Sequence, residues 1–320
     1  LNIDRLPNFI AGLALACACV LAHAASEEAI TLDTPTGKIA GTLAMPAAAT
    51  GRVPVVLIIA GSGPTDRDGN SKGLPGANNN LKLLAQSLAD AGFASVRYDK
   101  RGVAASLPAG PRESELRFDM YVDDAAAWVD MVKRDARFSS VAVIGHSEGS
   151  LIGMVAAQKS PVGAFVSLAG IASGAADVLR QQMSGKLPPD LAADNERILV
   201  ALEHGQLADP VPPALQGLYR PSVQPYIVSW FKYVPAQQFA RLKMPVLIAQ
   251  GDTDIQVQVS EAEALKKAKP DAQLVIVPGM NHVLKLDSTR GVASYSDPSL
   301  PIAPALIDAI VGFLRGAHLK

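Results

Sequence analysis

The chain has 320 residues, nearly half of them hydrophobic, with 29 basic side chains against 30 acidic ones. That length makes one globular domain, or one with an insertion. A net charge of -1 without a long basic or acidic run excludes the electrostatic footprint of a nucleic-acid binder and the composition of a solvating tail.

The first element is Phe9–Ala22, reading FIAGLALACACVLA, which ends in Ala22-His23-Ala24. Such a run is too short for the roughly 20 residues that span a bilayer, and it closes on an A-x-A site. Residues 1–24 are therefore read as a signal peptide cleaved after Ala24, which implies export to the periplasm or beyond. A lipoprotein is disfavoured, because neither Cys17 nor Cys19 has a Leu three residues ahead of it. Both cysteines fall in the leader, so the mature chain is expected to have no thiol, no disulfide, no Cys-ligated metal and no membrane span.

After the leader, Ala29–Asp33 and Lys38–Met45 flank a Pro-Thr-Gly turn and read as an antiparallel hairpin at a sheet edge. Six short runs follow: Val53–Ala60, Phe93–Tyr98, Val141–Gly145, Ala164–Ala169, Val246–Gln250 and Leu274–Val277. They are rich in Val and Ile and apolar on both faces, which suits a parallel sheet covered on both sides. Amphipathic helices alternate with them. Phe118, Tyr121, Ala125, Trp128, Val129 and Val132 form one stripe, with Asp123, Asp124, Asp130 and Lys133 off it. Ser260 to Glu263 reads as a capping box opening another helix. The alternation predicts a doubly wound α/β sheet with its ligand at the carboxyl ends of the strands.

One stretch breaks this rhythm. Between Ala172 and Lys243 helical pieces at Ala175–Met183, Leu191–His204 and Val223–Phe231 are separated by Pro-rich turns. They are read as an inserted helical cap, residues 172–243, dividing the core into 25–171 and 244–320.

Chemistry enters at Val141–Gly153, VAVIGHSEGSLIG: a buried strand, then GHSEG, then a helix. This is the G-x-S-x-G nucleophile elbow. Ser147 sits on a sharp turn that requires small residues two before and two after it, and Gly145 and Gly149 meet that need. The turn lifts the hydroxyl clear of the sheet and sets it at the positive end of the following helix, where the Glu148 amide can stabilise an oxyanion. A serine nucleophile needs a base near neutral pKa. Four histidines remain after the leader: His146 lies inside the tight turn, His204 in the cap and His318 at the chain end. His282 alone follows a core strand in a Gly-containing loop at the edge that carries Ser147. For the orienting acid, Asp252 and Asp254 both lie just past a strand end.

The elbow, the chain order Ser, acid, His, and the segments GSGPTDRDGN at Gly61–Asn70 and RYDKRG at Arg97–Gly102 resemble the α/β-hydrolase superfamily from about Ala29 onward. The likeness is to bacterial carboxylesterases, with a weaker one to peptidase relatives. It implies the α/β-hydrolase fold, and its spacing selects Asp254 as the acid, leaving Asp252 to brace the loop. Ala60-Gly61 stands where the superfamily often has His-Gly, so the resemblance implies the Ser62 amide as the second oxyanion donor. Ala104 stands where many relatives carry Gly, and Asp99 with Arg101 is read as a structural ion pair. No metal is expected. Asp66, Asp68 and Asn70 alternate as in a calcium loop, but Ser71 and Ala77 occupy the positions that need Gly and Glu. No cofactor is expected either.

The cap carries Tyr226, Trp230, Phe231 and Tyr233. Packing against the core is the commoner fate of such a cluster, and an acyl pocket above Ser147 is the alternative. The resulting reading is a serine hydrolase cleaving small to medium acyl or aryl esters through Ser147, Asp254 and His282. A peptidase or amidase, an acyltransferase, and a binding protein of the same fold remain open beside it.

Overall fold

The computed structural model describes residues 26–47, 49–72 and 76–317. The predicted leader with Cys17 and Cys19, and His318, lie outside the described residues. Eight strands form one sheet: β1 (Ser26–Thr34), β2 (Gly37–Met45), β3 (Val53–Ile59), β4 (Ala94–Tyr98), β5 (Phe138–His146), β6 (Ala164–Leu168), β7 (Val246–Gly251) and β8 (Gln273–Val277). Their order is β1-β2-β4-β3-β5-β6-β7-β8. The first two strands pair as the predicted edge hairpin, β2 runs antiparallel to β4, and all other pairs are parallel.

Among the described residues ten α-helices accompany the sheet: α1 (Asn80–Asp90), α2 (Phe118–Arg134), α3 (Glu148–Lys159), α4 (Ala175–Met183), α5 (Pro189–Glu203), α6 (Gln216–Tyr219), α7 (Gln224–Phe231), α8 (Pro235–Ala240), α9 (Val259–Ala268) and α10 (Pro304–Gly316). The strands read as apolar throughout because both faces are covered. Val55, Leu57 and Ile59 enter the core beneath α2 and α3, while Val56, Ile58 and Ala60 enter the one beneath α1 and α10. Helices α4 to α7 lie between β6 and β7 in the chain, as the Pro-punctuated pattern predicted. The last helix of that stretch, α8, packs on α3 and α9.

Two local expectations are corrected. Asp124 does not face solvent; it is buried with the guanidinium of Arg101 (Nε to Oδ2 3.0 Å), which explains a carboxylate on the inner side of α2. The capping box at Ser260 does not form: α9 starts two residues earlier, after Gln258, without a side-chain cap. Glu261 instead accepts from the amides of Ala172 (2.6 Å) and Ser173 (2.8 Å), which leave the end of β6 with no strand to pair with.

Candidate active site

Strands β3, β5, β7 and β8 all deliver their following loops to one edge of the sheet. Ser147 follows β5 with φ 55° and ψ -124°, a conformation costing on the order of 1–3 kcal/mol for a side-chain-bearing residue. The glycines around it are there for space. A Cβ on Gly145 would lie 2.3 Å from the Gly149 carbonyl oxygen, and one on Gly149 would lie 2.4 Å from that of Ile59. The Ser147 amide is anchored on the Leu168 carbonyl (2.8 Å), and its Oγ makes no hydrogen bond among the described residues.

The loop after β7 holds Asp254. Its Oδ1 accepts the amides of Gln256 (2.7 Å) and Val257 (2.9 Å), and its Oδ2 accepts Gln250 Nε2 (3.1 Å) and His282 Nδ1 (2.8 Å). Burial alone would raise this carboxyl, but the His282 charge and hydrogen bond, with the two amides, hold it below the ordinary aspartate value. With Nδ1 donating to Asp254, the His282 lone pair lies on Nε2. Asp252 braces the loops instead. Its Oδ1 accepts the Gly279 amide (2.6 Å), tying the β7 loop to the β8 loop. Those loops come so close that a Cβ on Gly251 would lie 1.8 Å from the Met280 carbonyl oxygen.

His146 supports the same loop from below. Its Nε2 lies 2.8 Å from the His282 carbonyl oxygen, which only accepts, so the ring is the tautomer protonated on Nε2. Burial, with the neighbouring His282 charge, pushes its pKa down to about 3, so the ring stays neutral. Its contact with His282 spans 136 residues of sequence and had no local signal.

Ser147, Ser62 and Glu148 line one cavity of about 360 Å3. The amides of Ser62 and Glu148 have no acceptor among the described residues. The cavity's remaining wall comes from the loops after β3, β6 and β7 and from α4, α6 and α7, with Ile171, Val178, Leu179, Ile227 and Val257 making it mostly apolar. Of the four cap aromatics, Tyr226 and Trp230 reach this wall, four residues apart on one face of α7. Phe231 does not; it packs against Ile171, Ala175, Val178 and Val257. Tyr233 does not either, since it lies past the helix end with its hydroxyl on Asp119. All but Phe231 also pack on Phe118 of α2, so packing and lining are shared rather than exclusive.

The expected Asp99–Arg101 pair is replaced by two others. Asp99 binds Arg67 (2.7 Å), Arg101 binds Asp124, and both fix the loops beside the cavity. The alternating Asp66, Asp68 and Asn70 are likewise occupied within the protein. Asp66 caps the amides of Asp68 and Asn70, Asp68 pairs with Arg97, and Asn70 accepts from the amides of Asn78 and Asn79.

Known proteins share both the sequence pattern and the fold. The family described as serine aminopeptidase S33 matches residues 73–207. Among solved structures, Alpha/beta hydrolase GrgF from a Penicillium species superposes with a TM-score of 0.60 at 17% identity, over 92% of this chain and 99% of that one. Est1E from Butyrivibrio proteoclasticus, in a structure with ferulic acid bound, gives a TM-score of 0.65 at 20% identity, over 91% of this chain and all of that one. This chain has the α/β-hydrolase fold. The chain is also 27% identical over 261 residues to Esterase EstD of Thermotoga maritima, a match covering 81% of this chain. The match takes in 60% of EstD, less than two thirds of that relative's length.

Proposed function

We propose that this protein is an α/β hydrolase, a serine carboxylesterase acting through Ser147, His282 and Asp254. The observation that carries the reading is the coincidence at one cavity of the strained Ser147, its hydroxyl unbonded among the described residues, with two amides, Ser62 and Glu148, that lack acceptors among them. Polar backbone groups left without partners beside a nucleophile suit a charge that develops only during reaction. In this mechanism His282 Nε2 takes the Ser147 proton as Oγ attacks the ester carbonyl, and the two amides hold the resulting oxyanion. The imidazolium, steadied by Asp254, protonates the departing alcohol, and water repeats the sequence on the acyl-enzyme. The apolar wall suits a small to medium acyl or aryl group, in line with the names of EstD and of the ferulic-acid complex of Est1E.

The S33 match favours a second reading, an aminopeptidase. Recognition of a free amino terminus calls for an unengaged carboxylate. Among the lining residues the carboxylate is Glu148, already bonded to Lys100 (3.1 Å) and Tyr226 (2.6 Å), so the ester reading is preferred.

The test compares the protein with Ser147→Ala on p-nitrophenyl esters from acetate to decanoate and on aminoacyl p-nitroanilides. Ester turnover at least about a thousandfold above the variant, with a fluorophosphonate attached at Ser147, is the expected result. Turnover of anilides alone would transfer the site to the aminopeptidase reading.

A further inference from the structure

The mechanism above leaves unused a buried ionic group that lies against the cavity. Lys100 follows β4 and is 1% exposed; Glu148 opens α3 and is 4% exposed. Lys100 Nζ donates to the Gly61 carbonyl oxygen and to Glu148 Oε2 (3.1 Å), and it lies 5.0 Å from the centre of the Tyr121 ring. The other Glu148 oxygen accepts the hydroxyl of Tyr226 on α7 (2.6 Å). A buried ion pair is a poor source of stability, because desolvating both charges consumes most of their attraction. Its position is more telling than its charge.

Gly61 and Ser62 share one planar peptide unit, in which the carbonyl and the N–H point in opposite directions. The carbonyl is the one Lys100 grips, and the N–H is the proposed oxyanion donor. This peptide runs against the nucleophile: a Cβ on Gly61 would lie 3.2 Å from Ser147 Cβ. It also belongs to a Gly-Ser-Gly segment with Gly63 at φ 68°, a backbone with little intrinsic preference for either orientation of the 61–62 plane. An oxyanion site works only when its donors are oriented before charge develops. The second donor, the Glu148 amide, belongs to the residue whose carboxylate holds the other side of Lys100.

We propose that Lys100 is a positioning residue for the oxyanion site: through the Gly61 carbonyl it fixes the Ser62 N–H toward the Ser147 cavity, and through Glu148 it locks both donors and the cap tyrosine into one unit. The cation on the carbonyl also polarises the peptide and strengthens its N–H as a donor. This inference rests on the acyl-transfer reading above.

Lys100→Met alone strands a buried carboxylate and risks unfolding. The informative comparison, in the full chain, is therefore Lys100→Met with Glu148→Gln against Glu148→Gln alone, with rates normalised to sites titrated by a fluorophosphonate. The double variant is expected to lose a further 10- to 100-fold, approximately, in kcat, with KM changed less than about twofold. The inhibition constant of an alkyl trifluoromethyl ketone should rise by the same factor. Ser147 Oγ adds to the ketone carbon, the hydroxyl proton passes to His282 and the carbonyl electron pair becomes an oxyanion, so this reagent reads the same donors. A purely structural role would lower the melting temperature or the titrated fraction and leave the constants per site unchanged. Equal kcat and equal inhibition in the two variants would overturn the positioning role and leave the esterase intact. Absence of Ser147-dependent ester turnover in the unaltered protein would overturn the esterase reading and this inference with it.

Discussion

Asp252 and Asp254 stand two residues apart beyond the same strand, yet the loop gives their carboxylates opposite directions. The amides of Gln256 and Val257 take one oxygen of Asp254 and turn the other onto His282, while Asp252 is exposed and holds the Gly279 amide. Asp254→Asn leaves one oxygen, which the amides of Gln256 and Val257 claim, so the new amide NH2 faces the imidazole; the ring then loses its productive tautomer. A fall in kcat of about a thousand- to ten-thousandfold is expected, against less than about threefold for Asp252→Asn, whose Oδ1 still accepts from Gly279. Comparable losses in the two variants would show that the loop, and not the carboxylate on His282, is what activity needs. Residue-level chemistry was thus partly legible. Ser147 and His282 are marked by the strands that precede them, and the acid is narrowed to two. The pairings of Asp99 and Arg101, and the contact of His146 with the His282 carbonyl, were not legible, because they depend on which loops the sheet order makes neighbours.

At the level of elements, the strands were legible because burial on both faces leaves uninterrupted Val- and Ile-rich runs, and α4 matches its predicted span of Ala175–Met183. What the pattern missed were polar residues serving long-range partners: Asp124 sits on the inner side of α2 for Arg101, and Glu261, in the first turn of α9, accepts the amides that follow β6. Periodicity records which face is apolar, not which buried charge has a counter-ion across the molecule. Helices α4 and α7 supply Val178, Ile227 and Trp230 to the cavity wall, so they should set acyl length. Val178→Trp would fill space now open to the chain's far end. Excluding two methylenes at about 0.8 kcal/mol each should lower the decanoate-to-acetate ratio of kcat/KM by at least about tenfold. A ratio unchanged by this substitution would place the acyl chain away from α4.

For the molecule as a whole, the same burial that keeps His146 neutral makes the fold sensitive to acid. Its pKa lies at about 3 in the folded chain against an ordinary value of 6.5, so between these limits the unfolded state binds the extra proton. Stability from this residue is complete above 6.5 and declines as the pH falls, at up to about 1.4 kcal/mol per pH unit. Carboxylates held low in the fold, such as Asp254 and Glu113, act in the same direction but mainly below about pH 4.5, where the unfolded chain's glutamates are half protonated. The largest single share of the loss between pH 6.5 and 4.5 is therefore assigned to His146, about 2 kcal/mol. Urea unfolding at those two pH values should show it in the unaltered protein. His146→Gln, whose side-chain amide can still donate to the His282 carbonyl, should show little change across the same interval, whatever its stability at neutral pH. If the variant loses as much as the parent, the proton taken up on unfolding in this range belongs to another group and His146 is not what limits the fold in mild acid.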